Sequence, residues 1–183
     1  MNLLKFHNKI KGYTQNRQPG IEADMEPKPI AELEEYKAAG KLENKVALIT
    51  GGDSGIGRAI AILYAKEGAN VAIGYYDEHQ DAEDTVNRLQ EMGVKAKAYA
   101  HDLKDEKQSQ KLIKDVINDF GSLNILVNNG GVQFPRDHFE DITPQQVKET
   151  FMTNIFGMMF LSQSAVPYLS EGDTIINTTS VTA

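Results

Sequence analysis

From Lys45 onward the chain alternates short aliphatic, β-branched runs with longer stretches whose apolar positions recur every three or four residues. "VALIT" (46–50) reads as a buried strand and 56–68 as a helix ending at Gly68. "NVAIGYY" (70–76) is a second strand, followed by a helix over 81–93 with Val86, Leu89 and Met92 on one face and Gly93 as its stop. "KAKAYA" (95–100) is a third strand, and the helix over 105–121 carries Leu112, Ile113, Val116, Ile117 and Phe120 on one stripe. "NILVN" (124–128) and "DTIINTT" (173–179) are the fourth and fifth strands. Between them runs one long helix with its own start signal: Thr143 as N-cap, Pro144 at the first helical position and Gln146 in the capping-box position. This alternation predicts an α/β fold, a Rossmann-like doubly wound parallel sheet covered on both faces.

The first forty residues break the pattern. Residues 1–20 carry Lys5, Lys9, Lys11 and Arg17 with no acid, and Pro19, Pro27 and Pro29 follow closely, so this stretch builds no core of its own. Ile30, Leu33 and Tyr36 fit one short helix that ends at Gly40. The basic start has two readings, a solvated tail or an arm packed on a neighbouring subunit. Residues 1–40 are therefore taken as an extension or arm and 41–183 as the N-terminal part of the α/β domain.

Composition trims the range of functions. A chain of 183 residues with 40% hydrophobic content can bury one sizeable core. Its 19 basic and 26 acidic residues give a charge of −7, which repels phosphate backbones and anionic membranes and argues against nucleic acid or membrane as the main partner. No apolar stretch approaches the ~20 residues of a membrane span, and the start lacks the apolar core and cleavage site of a secretory signal. With no cysteine, disulfides, thiolate metal sites and a thiol nucleophile are excluded, which suits a reducing cytoplasm. His7, His79, His101 and His138 show no ligand spacing, so no metal site is expected.

The turn "TGGDSGIG" (50–57) packs four glycines between a strand and a helix. Gly51 suits the backbone angles of a tight turn, Gly55 lets the backbone approach a ligand, and Gly57 lets the helix pack closely on the sheet. The free N–H groups at that helix start and the positive end of its dipole favour a pyrophosphate. The turn reads as a dinucleotide site.

The glycines run Gly51-x3-Gly55-x-Gly57 after Thr50, with "NNGG" (128–131) closing the fourth strand, Asn154 in "TNIFG", and "NTTSVTA" after the fifth strand. In this combination the chain resembles the short-chain dehydrogenase/reductase family from about Lys41 to its last residue. The stretch "QPGIEADMEPKP" is similar to the extension of a bacterial subgroup likened to glucose and ribitol dehydrogenases. The resemblance implies that Thr50, Gly51, Asp53, Ser54, Gly55, Ile56 and Gly57 hold a pyrophosphate. It implies that Tyr75 and Asp77 lie by the adenosine ribose, and that Asp102, with Leu103 beside it, meets the adenine. Asn129, Gly130 and Gly131 belong to the motif that steadies the sheet there, Gly130 standing where the family usually has Ala. Ser180 and Asn154 match two of the family's catalytic residues. Each also has a plainer reading, as a strand-ending hydroxyl and as a buried amide satisfied by backbone.

The family's remaining pair is a Tyr followed four positions on by a Lys. None of the seven tyrosines in this sequence has that partner. The resemblance places the pair beyond Ala183, so the C-terminal part of the fold is expected to lie outside this chain and the chain alone to show no dehydrogenase activity. The expected function is NAD(P)-dependent hydride transfer with an alcohol or carbonyl substrate, sugar alcohols among the candidates. The alternative is a non-catalytic dinucleotide-binding or remnant protein. NAD is preferred over NADP because 52–54 hold no cation and Asp53 repels a 2′-phosphate; an Arg58 that reaches the adenosine end is the argument for NADP. A homo-oligomer is expected from the resemblance, through the long helix face bearing Phe151, Met152, Ile155, Met158 and Met159; core packing is the other reading of that stripe.

Overall fold

The computed structural model describes residue 15, residues 17–33 and residues 35–180. The basic residues at 5, 9 and 11 and the last three positions of "SVTA" lie outside the described residues. Five strands, β1 (Val46–Thr50), β2 (Asn70–Tyr75), β3 (Ala96–Ala100), β4 (Ile125–Asn128) and β5 (Thr174–Asn177), form one parallel sheet in the order β3-β2-β1-β4-β5. Side chains alternate across each strand. From β1, Ala47 and Ile49 pack beneath helices α1 (Gly55–Lys66) and α2 (His79–Glu91), in a core with Ala61, Ile62, Val71 and Leu89. Val46 and Leu48 face the other way, toward Leu112, Ile113 and Val116 of α3 (Glu106–Phe120) and Leu161 of α5 (Gly157–Ala165). β1 and β4 are buried along their whole length, whereas β5 at the edge is mostly exposed.

Local signals act where they stand. Asp105 caps α3 by accepting from the backbone N–H groups of Lys107 and Gln108, and Gly121 ends it in the left-handed region. Thr143 and Gln146 form the capping box that starts α4 (Pro144–Phe151).

Two expectations are corrected. The long helix is not uniform: α4 passes into a π-helical turn, Met152–Phe156, before α5, and Val166–Tyr168 closes as a 3₁₀ turn. Among the described residues of 30–40 no helix forms. Their polar groups are spent elsewhere: Glu32 bridges Lys66 and Arg88, and the Glu67 carboxylate accepts from the Tyr36 hydroxyl and the backbone N–H groups of Ala39 and Lys41. The segment is drawn across α1 and α2, with Ile30 and Leu33 exposed. From Arg17 to Lys41 the extension fastens to its own domain.

Candidate functional site

The strand order reverses between β1 and β4, so the connections leave the sheet in opposite directions and open a crevice at the strands' carboxyl ends. A cavity of about 620 Å³ lies there, within the usual ~300–1,000 Å³ of small-molecule sites. The glycine turn contributes Gly51, Asp53 and Ser54. Tyr75 ends β2, Asp102 and Leu103 come from beyond β3, and Gly130 and Gly131 from the loop after β4.

The turn is held by sterics and backbone bonds. Gly51 and Gly55 sit at φ of +59° and +52°, where a side chain is strained. Space around Gly55 is open, so its requirement is conformational. At Gly57 an added Cβ would lie 1.9 Å from the Gly51 carbonyl oxygen and 2.7 Å from the Asn129 amide, so the helix start is pressed onto the turn itself. The Thr50 hydroxyl accepts from the N–H groups of Asn129 (3.0 Å) and Gly130 (2.9 Å), and the Asn129 amide donates back to the Thr50 carbonyl at 3.1 Å. Two motifs 79 residues apart thus lock into one backbone platform. An added Cβ on Gly130 would meet the Leu103 methyl at 2.9 Å, so the family's Ala needs only a side-chain adjustment here.

Asn154 lies in the π-helical turn. Its side-chain oxygen accepts from the Val132 N–H and its amide donates to the Val132 carbonyl, both at 2.8 Å. This clamps the loop that carries Gly130 and Gly131. Ser180 follows β5, whose neighbour β4 accepts the Thr178 N–H on the Asn128 carbonyl at 2.9 Å, so it too lies at the carboxyl edge of the sheet. Asp53 is buried, and burial raises its carboxyl above the usual range. The Tyr75 hydroxyl is paired with His79 Nδ1 at 2.9 Å, and Asp102 accepts from the Lys104 N–H.

Three functional residues escape sequence reasoning. Glu22, from the extension, accepts from the first N–H of α1 at Gly55 (2.6 Å) and pairs with Arg58 (2.9 Å), which places Arg58 on the arm instead of at the adenosine end. Arg17 holds Asp77 and Glu78. His101, 6% exposed, lines the cavity, and neither ring nitrogen has a hydrogen-bond partner among the described residues. Burial pulls its pKa down to about 4, so the ring is neutral at physiological pH. Only His101 had a local signal, its place beside Asp102; no pattern links Arg17 or Glu22 to partners 60 and 33 residues away.

These features fit a dinucleotide. The cradle at Gly51 and Gly57 brings the start of α1 to the crevice, where its dipole favours a pyrophosphate beside the Gly55 N–H that Glu22 holds, and the unpartnered His101 ring offers a buried polar edge for a base. Among the described residues no helix is long and apolar enough to cross a membrane.

The family model for short chain dehydrogenase matches residues 45–183. General stress protein 39 of Bacillus subtilis is 48% identical over 179 residues, covering 98% of this chain and 63% of that protein. Glucose and ribitol dehydrogenase of Daucus carota is 42% identical, covering 92% of this chain and 60% of its own length. A short-chain dehydrogenase from Burkholderia cenocepacia, solved in complex with NADP, superposes with a TM-score of 0.74 at 36% identity, over 77% of this chain and 57% of that one. The chain thus spans about three fifths of the length of the curated relatives it matches.

Proposed function

Since the chain belongs to the short-chain dehydrogenase family, we propose that it binds NAD or NADP in the crevice between the glycine turn and the loop after β4. It forms the cofactor-binding part of a cytoplasmic oxidoreductase acting on an alcohol or carbonyl compound. The observation that carries this reading is the interlock of Thr50, Gly51 and Gly57 with Asn129 and Gly130, which builds a backbone platform around a cavity of dinucleotide size. The nicotinamide supplies the hydride acceptor or donor. Around it Asn154 is a positioning residue that fixes the 130–132 loop through Val132, and Ser180 hydrogen-bonds the reacting oxygen of the substrate. Asp77, half exposed at the end of β2, offers an acceptor to ribose hydroxyls, which favours NAD.

The proton-transfer step needs a group these residues lack. None of the tyrosines of residues 1–183 has a lysine four positions on, so the 183-residue chain binds the cofactor without turning over substrate. The exposed Phe151 of α4, Ile155 of the π-helical turn and Met159 of α5 suit a second copy of the chain as partner.

NADH titration of the 183-residue protein followed by calorimetry tests the reading. Saturable binding with no substrate-dependent change at 340 nm is the expected result. No saturation up to ~1 mM NADH overturns the binding site, and dehydrogenase turnover by protein of confirmed length overturns the inactivity.

A further inference from the structure

The arm supplies part of the cavity's lining: Gln15, Arg17 and Pro19 line it together with Tyr75, Tyr76 and Glu78 at the end of β2. Asp77 and Glu78 lie 20 and 21 residues after Gly57 (77 − 57 and 78 − 57). Dinucleotide folds carry at about that spacing the acid that accepts from the adenosine ribose hydroxyls. Two such acids repel a further anion.

Arg17 spans both of them. Its Nη2 lies 2.6 Å from Asp77 Oδ1 and 2.9 Å from Glu78 Oε1, while Nε donates to the Pro19 carbonyl at 2.8 Å. The Glu78 side chain is 2% exposed. Burial, with the Asp77 carboxyl beside it, pushes the Glu78 pKa up to about 7, so the two acids and the guanidinium together carry little net charge near neutral pH. Nη1 of Arg17 bonds to none of the described residues, which leaves its two N–H groups for an anion at the cavity wall.

From this geometry we propose that Arg17 is a specificity-determining residue of the adenosine end, cancelling the charge of Asp77 and Glu78 and presenting Nη1 to a 2′-phosphate so that the site accepts NADP as well as NAD. The inference rests on the dinucleotide reading of the cavity. A guanidinium is suited to the task, since its planar fork pairs with carboxylate on one edge and phosphate on another. An arginine that merely fastened the arm would serve both cofactors alike, because they differ only at the 2′ position. The cofactor choice of this chain is then set partly by a residue outside the α/β domain.

The test is calorimetric titration of the 183-residue chain with NAD⁺ and with NADP⁺ at one fixed ionic strength, for the unchanged protein, Arg17→Ala and Arg17→Lys. Arg17→Ala is expected to weaken NADP⁺ binding about tenfold or more while NAD⁺ stays within about threefold. Arg17→Lys, which keeps the charge but loses the planar fork, recovers only part of the NADP⁺ affinity. Equal losses for both cofactors, or an unchanged ratio, overturn the role of Arg17 while leaving the cavity's assignment intact. Failure of the unchanged protein to bind either cofactor overturns the dinucleotide reading beneath it as well.

Discussion

The cavity has two walls made by different physics. The inner wall, from Thr50 to Gly57 with Asn129 and Gly130 against it, is set by backbone sterics: positive φ at Gly51 and Gly55, and no room for a Cβ at Gly57. The outer wall, Gln15 and Arg17 to Pro19, belongs to an arm that among its described residues has no regular helix beyond a single 3₁₀ turn at Glu22–Asp24, and that holds by charge pairing to α1 and to the end of β2. Steric walls are intolerant of any added atom. Charge-paired walls respond to pH, salt and partner removal. The difference teaches where mutations will break this molecule and where they will tune it.

The largest expected effect lies at the inner wall. Gly57→Ala forces a methyl to within 1.9 Å of the Gly51 carbonyl, which cannot retreat without breaking the turn. A loss of about 3 kcal/mol or more in urea unfolding is expected, together with loss of NADH binding. A loss below ~1 kcal/mol contradicts the steric account.

Next comes His101, buried in the cavity lining after β3. An unfolded histidine titrates near 6.5, and burial holds this one at about 4. A depressed histidine pKa means that the native state favours the neutral ring, so its contribution is complete above pH 6.5 and falls away as pH drops toward 4. That difference amounts to about 3 kcal/mol. Denaturation at pH 7 and at pH 4.5 measures it, and His101→Gln should flatten the dependence relative to the unchanged chain. An identical pH profile for the two proteins rules out the buried neutral ring.

Glu22→Ala probes the attachment of the arm that carries the outer wall. It removes a buried carboxylate that accepts from Gly55 and pairs with Arg58, at an expected cost of about 2 kcal/mol by thermal unfolding. A change under ~0.5 kcal/mol would make the arm a loosely laid strap. The smallest effect is expected at Gly130→Ala, where only the Leu103 methyl must move; stability should stay within ~1 kcal/mol, and a collapse of folding would show that the loop after β4 is as tight as the glycine turn.

Legibility in the sequence follows the same division. The five strands, the capping box at Thr143 and the stops at Gly93 and Gly121 are visible because each rests on local periodicity or on one residue's backbone preference. The link between Thr50 and Asn129 is reachable only through the family's motifs. The π-helical turn at Met152–Phe156 leaves no mark, since its residues continue a helical pattern and Asn154 departs from it only to bind Val132. The arm is the least legible part. Ile30, Leu33 and Tyr36 have helical spacing, yet Glu32 and Glu67 draw the segment out through ion pairs and backbone bonds that no local rule encodes.

The central claim is that the two walls enclose one dinucleotide. Backbone and arginine side-chain NMR of the labelled 183-residue chain during NAD⁺ titration tests it most directly. The amides of Gly51, Ser54 and Gly130 and the Nε–H of Arg17 should shift together along one saturation curve. A response confined to the glycine turn with Arg17 silent, or no response at either wall, would contradict it.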